Sequence, residues 1–144
     1  MYKILTILLI TTLCTACAQN TPKSVTEDMK LAEHFYNRAI YSEAERVLLS
    51  LKAAMPDNYD IYFRLGNIYV RTGQFPAAEA MYQKCIDLNP EEPKGWYNLS
   101  LLRVKQAIAV SEQGHRKTAL TDGNYSHQFV MLREGLITAI TGKE

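Results

Sequence analysis

Three cysteines and three histidines are the side chains in this 144-residue chain best suited to nucleophilic, redox or metal chemistry. Two of the cysteines, Cys14 and Cys17, form a C-x-x-C in the stretch "LCTACAQN". A redox pair of that spacing needs a strand before it and a helix after it, and an apolar run ending in polar "AQNTPKS" offers neither. A zinc site needs four ligands, and no second C-x-x-C or paired histidines complete the set. His34, His115 and His127 are scattered, with no i, i+4 pair. The chain has no G-x-S-x-G, no phosphate loop and no acidic cluster of metal-ligand type. No metal or cofactor is implied, and an enzyme with an unrecognised site is only a residual alternative. The cysteine pair reads instead as an address.

The elements around it support that reading. Met1-Tyr2-Lys3 supplies one positive charge, and "ILTILLITTL" follows as a short apolar run. It is too short for a membrane-spanning helix, which needs about 20 apolar residues, and has the form of a secretory signal over residues 1–16. Thr15-Ala16-Cys17 resembles a bacterial lipobox, which implies lipid attachment at Cys17 and a polar tether over 17–24. Cys14 stands where such boxes carry an aliphatic residue. The rival is Ala16-Cys17-Ala18, an A-x-A site that would release a soluble periplasmic chain starting at Gln19. Ala18, not aspartate, follows Cys17, which resembles lipoproteins destined for the outer membrane, on its periplasmic face. With Cys17 acylated, Cys85 has no disulfide partner.

The remaining chain, 25–144, is long enough for one domain with one core. Without Lys3 the whole chain carries 15 basic and 15 acidic side chains, so there is no electrostatic footprint for nucleic acid. Residues 25–144 contain a repeat. "LAEHFYNRAIYSEAERVLLSLKAAMPDN" (31–58) aligns without a gap on "LGNIYVRTGQFPAAEAMYQKCIDLNPEE" (65–92) at a period of 34. Leu31 meets Leu65, Phe35 meets Tyr69, Ala44 meets Ala78, Leu48 meets Tyr82 and Pro56 meets Pro90. The pattern Leu65, Gly66, Tyr69, Gly73, Ala78, Tyr82, Pro90 resembles the tetratricopeptide repeat. That resemblance implies an all-α array of helix-turn-helix units: clear repeats at 25–58 and 59–92, a partial one at 93–113 and a capping C-terminal helix.

Helical spacing leads to the same elements. Tyr62, Leu65, Gly66 and Tyr69 share one face, and Gly66 removes a side chain where a neighbouring helix must come close. Gly73 breaks that helix, and Pro76 suits the first turn of the next, whose inner face is Ala78, Tyr82, Cys85 and Ile86. Cys85 reads as a small packing residue. The third unit keeps Trp96, Leu99 and Ser100 in register but has Arg103 and Glu112 where Tyr69 and Ala78 would recur. Its first helix is expected to run on to Gly114, with a turn at "TDGN". Ser126 is expected to cap a last helix over about 126–140, with Phe129, Leu132, Leu136 and Ile140 on its packed side.

In tetratricopeptide proteins the first helices of successive units line a concave groove. The residues here that match those positions include Tyr36, Asn37, Phe63, Asn67, Val70, Arg71, Tyr97, Leu101 and Lys105. The groove this implies is aromatic and amide-bearing, with Arg71 and Lys105 at one edge. It suits a protein or peptide partner with apolar anchors and some negative charge. Phe63, Asn67 and Arg71 lie off the Leu65, Gly66, Tyr69 packing face and are expected to be free for a partner. The alternative is that Phe63 and Tyr97 pack against neighbouring units. The carboxylate clamp of chaperone-binding relatives is not matched, since its places hold Met29, Glu33, Arg64, Lys94 and Asn98. A lipid-anchored repeat domain resembles the assembly lipoproteins of pilus, secretion or conjugation systems. An adaptor that recruits cell-wall enzymes is the alternative.

Overall fold

The computed structural model describes residues 24–142, and the leader with Cys14 and Cys17 lies outside them. Six helices follow one another: α1 Val25–Asn37, α2 Tyr41–Ala54, α3 Tyr59–Arg71, α4 Phe75–Leu88, α5 Pro93–Thr118 and α6 Gly123–Thr141. The pairs α1/α2, α3/α4 and α5/α6 pack as antiparallel hairpins, and α2 against α3 and α4 against α5 join the units in series. This is the all-α repeat array expected from the sequence.

Most helix starts have a local cause. Ser24 and Glu27 form a reciprocal capping box at α1, the Ser24 hydroxyl accepting from the Glu27 amide at 3.2 Å and the Glu27 carboxylate from the Ser24 amide at 3.1 Å. Asn58 caps α3 by accepting from the Asp60 amide. Proline stands in the first turn of α4 and of α5, where a missing N–H breaks no bond. The turns that end α1 and α3 are copies of each other 34 residues apart. Ile40 N–H bonds Phe35 C=O at 2.9 Å, as Gln74 N–H bonds Tyr69 C=O at 2.8 Å. Both require a left-handed residue, supplied by Gly73 at φ 75° and by Ala39 at φ 57°.

The core runs from Ala32 to Leu102. Ala44, Ile61, Leu65, Ile68 and Ala78 are fully buried, and Gly66 lies among them. A Cβ on Gly66 would fall 2.5 Å from Cε1 of Tyr82, so glycine is what lets α3 and α4 approach. Cys85 is buried, and a Cβ on Gly95 would meet its sulfur at 3.3 Å, which makes the thiol a packing group between α4 and α5. Its pKa is raised, chiefly by burial, as expected of a cysteine without a nucleophilic role.

The third unit departs from expectation in its bounds. Where α3 turns at Gly73 to Pro76, the corresponding stretch of α5 reads Ala107-Ile108-Ala109-Val110, with neither that glycine nor that proline, and the helix continues past Gly114 to Thr118. The last helix begins at Gly123, three residues earlier than expected, so the turn occupies 119–122 and only Thr121 and Asp122 of "TDGN" belong to it. Its cap is Asp122, accepting from the Asn124 and Tyr125 amides. Ser126 is instead buried against α5, its hydroxyl 2.8 Å from His115 Nδ1. Gly114 admits the Phe129 ring, which lies 2.6 Å from where a Cβ would be. Phe129 and Leu136 are half-buried as anticipated, but Leu132 (54%) and Ile140 (39%) are exposed. The expected apolar stripe straddles the edge of the packed face.

Gly66→Leu and Ala78→Leu should each destabilise the domain by about 1–3 kcal/mol, read as a lower midpoint in thermal or urea unfolding. Ala39→Gly should move the midpoint the other way, by about 0.5–1 kcal/mol, because it removes the left-handed penalty of a Cβ while adding some unfolded-state entropy. Melting temperatures unchanged in all three would contradict the packing and turn assignments.

Candidate binding groove

Helices α1, α3 and α5 present one side to a concave surface, and two cavities on it share Tyr36 and Asn67. The first, about 200 Å³, is bounded by Ala32, Glu33 and Tyr36 from α1, Leu48 from α2, Asp60, Phe63, Arg64, Asn67 and Ile68 from α3, and Lys94 from α5. The second, about 450 Å³, is bounded by Tyr36, Asn67, Val70, Arg71, Tyr82, Asn98, Leu101, Leu102 and Lys105. Sequence spacing therefore brings Tyr36, Phe63, Asn67, Val70, Arg71, Leu101 and Lys105 to one continuous depression. Tyr97 and Asn37 line neither cavity: Tyr97 is 64% exposed, and Asn37 is the exposed last residue of α1. Cys17 lies outside the described residues.

The middle of the groove is a polar node. Asn67 Oδ1 accepts from the Tyr82 hydroxyl and from Asn98 Nδ2, both at 2.8 Å, which ties α3 to α4 and α5. The expectation that Asn67 stands apart from the packing is therefore corrected: its side chain satisfies a buried phenol and so belongs to the fold as well as to the groove surface. Phe63 is half-buried against the core, its ring 6.4 Å from that of Tyr82. Of the two aromatics weighed as packing residues, Phe63 packs and Tyr97 does not.

The two ends differ in charge. At the first cavity Arg64 is met by Asp60 at 3.0 Å and by Glu33 at 3.6 Å, and Lys94 lies 3.7 Å from Glu92. At the second, Arg71 and Lys105 make no ion pair among the described residues. Arg71 Nε reaches the Tyr36 hydroxyl at a long 3.5 Å. Asp60 joins the site outside the expected groove positions, and its i, i+4 spacing to Arg64 is the sequence signal for it.

Residues 59–92 match the tetratricopeptide repeat family model. No curated protein matches the chain. The matched unit is α3 with α4, and the fold is a tetratricopeptide helical array, a class of scaffold that mediates protein–protein interaction. Among the described residues no helix is long and apolar enough to cross a membrane, and no three His, Cys, Asp or Glu side chains are grouped to hold a metal.

Burial pushes the Tyr82 hydroxyl up to about 12. Burial, with the Glu45 carboxylate adding to it, does the same to Tyr69. In the unfolded chain both titrate near 10 (roughly). The folded state thus holds these protons more tightly, and their contribution to stability is complete below about pH 10 and is lost as pH rises towards about 12. Tyr82→Phe should cost about 1 kcal/mol at neutral pH through the lost bond to Asn67. It should also flatten the fall in stability above pH 10, measured by urea unfolding across pH 8–11 (approximate bounds set by tyrosine titration). An alkaline slope equal to that of the wild type would contradict the burial of this phenol.

Proposed function

We propose that the chain is a protein-binding scaffold held at the bacterial outer membrane by lipid on Cys17, facing the periplasm, where it serves assembly of a pilus, secretion or conjugation machine. The observation that carries the binding part is the concave surface itself. Two contiguous cavities lined by aromatic, amide and cationic side chains run across α1, α3 and α5, and no helix of the described array fills them. Such a surface can seat apolar side chains in the first cavity and polar or acidic groups in the second. The location rests on the apolar leader and on Thr15-Ala16-Cys17 ahead of a polar tether. An acylated N-terminus with more than one chain suffices for stable attachment where one chain is marginal.

A photo-crosslinking residue placed at Val70 or Leu101 in living cells should yield a discrete adduct, and the same residue at Gln113 on the far part of α5 should not. Phe63→Ala together with Arg71→Ala should weaken the groove adduct with helicity retained. Adducts from Gln113 but not from the groove would move the working surface elsewhere. Cys17→Ser should abolish fatty-acid labelling and shift the protein from the membrane pellet to the soluble periplasmic fraction. Identical fractionation of mutant and wild type would remove the anchor.

A further inference from the structure

The groove's uneven charge specifies its occupant more closely, on the reading that this surface captures a protein segment. In the first cavity every charged side chain has a partner of opposite sign: Arg64 with Asp60 and Glu33, and Lys94 with Glu92. A carboxylate arriving there would face Glu33 and Asp60 and gain nothing, whereas an apolar side chain could lie against Ala32, Leu48, Phe63 and Ile68. The second cavity has the opposite character. Arg71 and Lys105 reach it from α3 and α5, neither neutralised among the described residues, and no acidic side chain lines it. The Tyr36 hydroxyl, which accepts from Arg71, keeps its own hydrogen to donate. Asn98 uses one amide hydrogen on Asn67 and retains the other.

The separation of the two seats follows from helix geometry. Phe63 and Arg71 are eight residues apart on α3, a rise of about 12 Å at roughly 1.5 Å per residue. An extended segment covers that distance in about three to four residues. The exposed Arg71, in the last turn of α3, leaves that end of the groove open, so a chain can pass beyond its acidic residue instead of ending there.

We propose that the groove binds an extended segment of a protein partner carrying an apolar side chain and an aspartate or glutamate three or four residues apart, the apolar group seated on Phe63 and the carboxylate between Arg71 and Lys105. The carboxylate is that of an internal side chain. Recognition of the carboxylate therefore uses the opposite end of the groove from the Lys94 side.

Selection from a display library of random dodecapeptides, fused through their C-termini so that no free terminal carboxylate is present, tests this on the soluble domain released behind residue 23. Peptides enriched on the wild type should share an apolar residue and an acidic one at that spacing. Selection on Arg71→Ala/Lys105→Ala should keep the apolar residue and lose the acidic one, and Arg71→Glu/Lys105→Glu should replace it with lysine or arginine. For a selected peptide, the double alanine variant should bind about three- to tenfold more weakly, as expected for two exposed pairs. That loss should shrink at high salt. Acidic residues that persist on the charge-reversed variant, or apolar-only consensus peptides on the wild type, would overturn the inference while leaving the groove a binding surface. Failure of any peptide to enrich would overturn the groove reading and this inference together. Enrichment only from a library with free C-termini would assign the seat to a terminal carboxylate and overturn the internal-residue proposal.

Discussion

The contact on which the rest of this array depends is that of the Tyr82 ring with the backbone of α3 at Gly66. The phenyl group occupies the volume a Cβ would need, which sets how closely α3 and α4 pack. Its hydroxyl then emerges on the concave side and is satisfied by Asn67. Because Asn98 converges on the same oxygen, α5 is held to α3 through an amide bridge as well as through Leu102 and Leu99 in and against the core. One side chain thus fixes both the helix spacing and the floor of the groove. Buried polar groups of this kind are stabilising only when every member is satisfied, and no buried side-chain nitrogen or oxygen among the described residues lacks a partner.

The first unit solves the same packing problem with different sizes. Ala32 and Leu48 stand where Gly66 and Tyr82 stand, both buried, so a larger residue on the first helix accompanies a smaller one on the second. In the third unit the corresponding pair is Ser100 and Arg116, both exposed. With no small-large pair to close the hairpin there, α6 docks further along α5, at Ser111, Gly114 and His115, and no residue of α6 belongs to the main core. The hairpin is displaced because its packing residues are displaced in sequence.

This explains what could be read from the sequence. The period of 34, with Gly66, Ala78 and Tyr82 in register, carried the helix order, the inner faces of α3 and α4 and most of the groove lining. The start of α6 was misplaced because Asp122 and Ser126 are both good caps, and propensity alone does not choose between them. The choice is made by His115, eleven residues earlier, which binds Ser126 and so draws it into the interface. Asn67 was read as free because a helical wheel marks which face a residue is on, not which distant donors reach it. The charge difference between the two ends of the groove was half legible: Arg71 and Lys105 stood out by number, but their significance lies in the ion pairs that Arg64 and Lys94 make and they do not.

That polarity also has an origin in helix stability. In α3 the order Asp60, Arg64, Asn67, Arg71 places an acid in the first turn and a cation in the last. Both are favourable with the helix macrodipole. Asp60 can therefore hold Arg64 one turn along, while the residue one turn before Arg71 is Asn67, an amide with no charge to offer it. The amide that satisfies the Tyr82 hydroxyl is thus also what leaves the last cation of α3 unneutralised. Lys105 joins it because α5 runs beside α3 and Lys105 stands one period of 34 after Arg71, ahead of the stretch where α5 fails to turn. The second charge of the groove is thus supplied by the part of α5 that still keeps the repeat register.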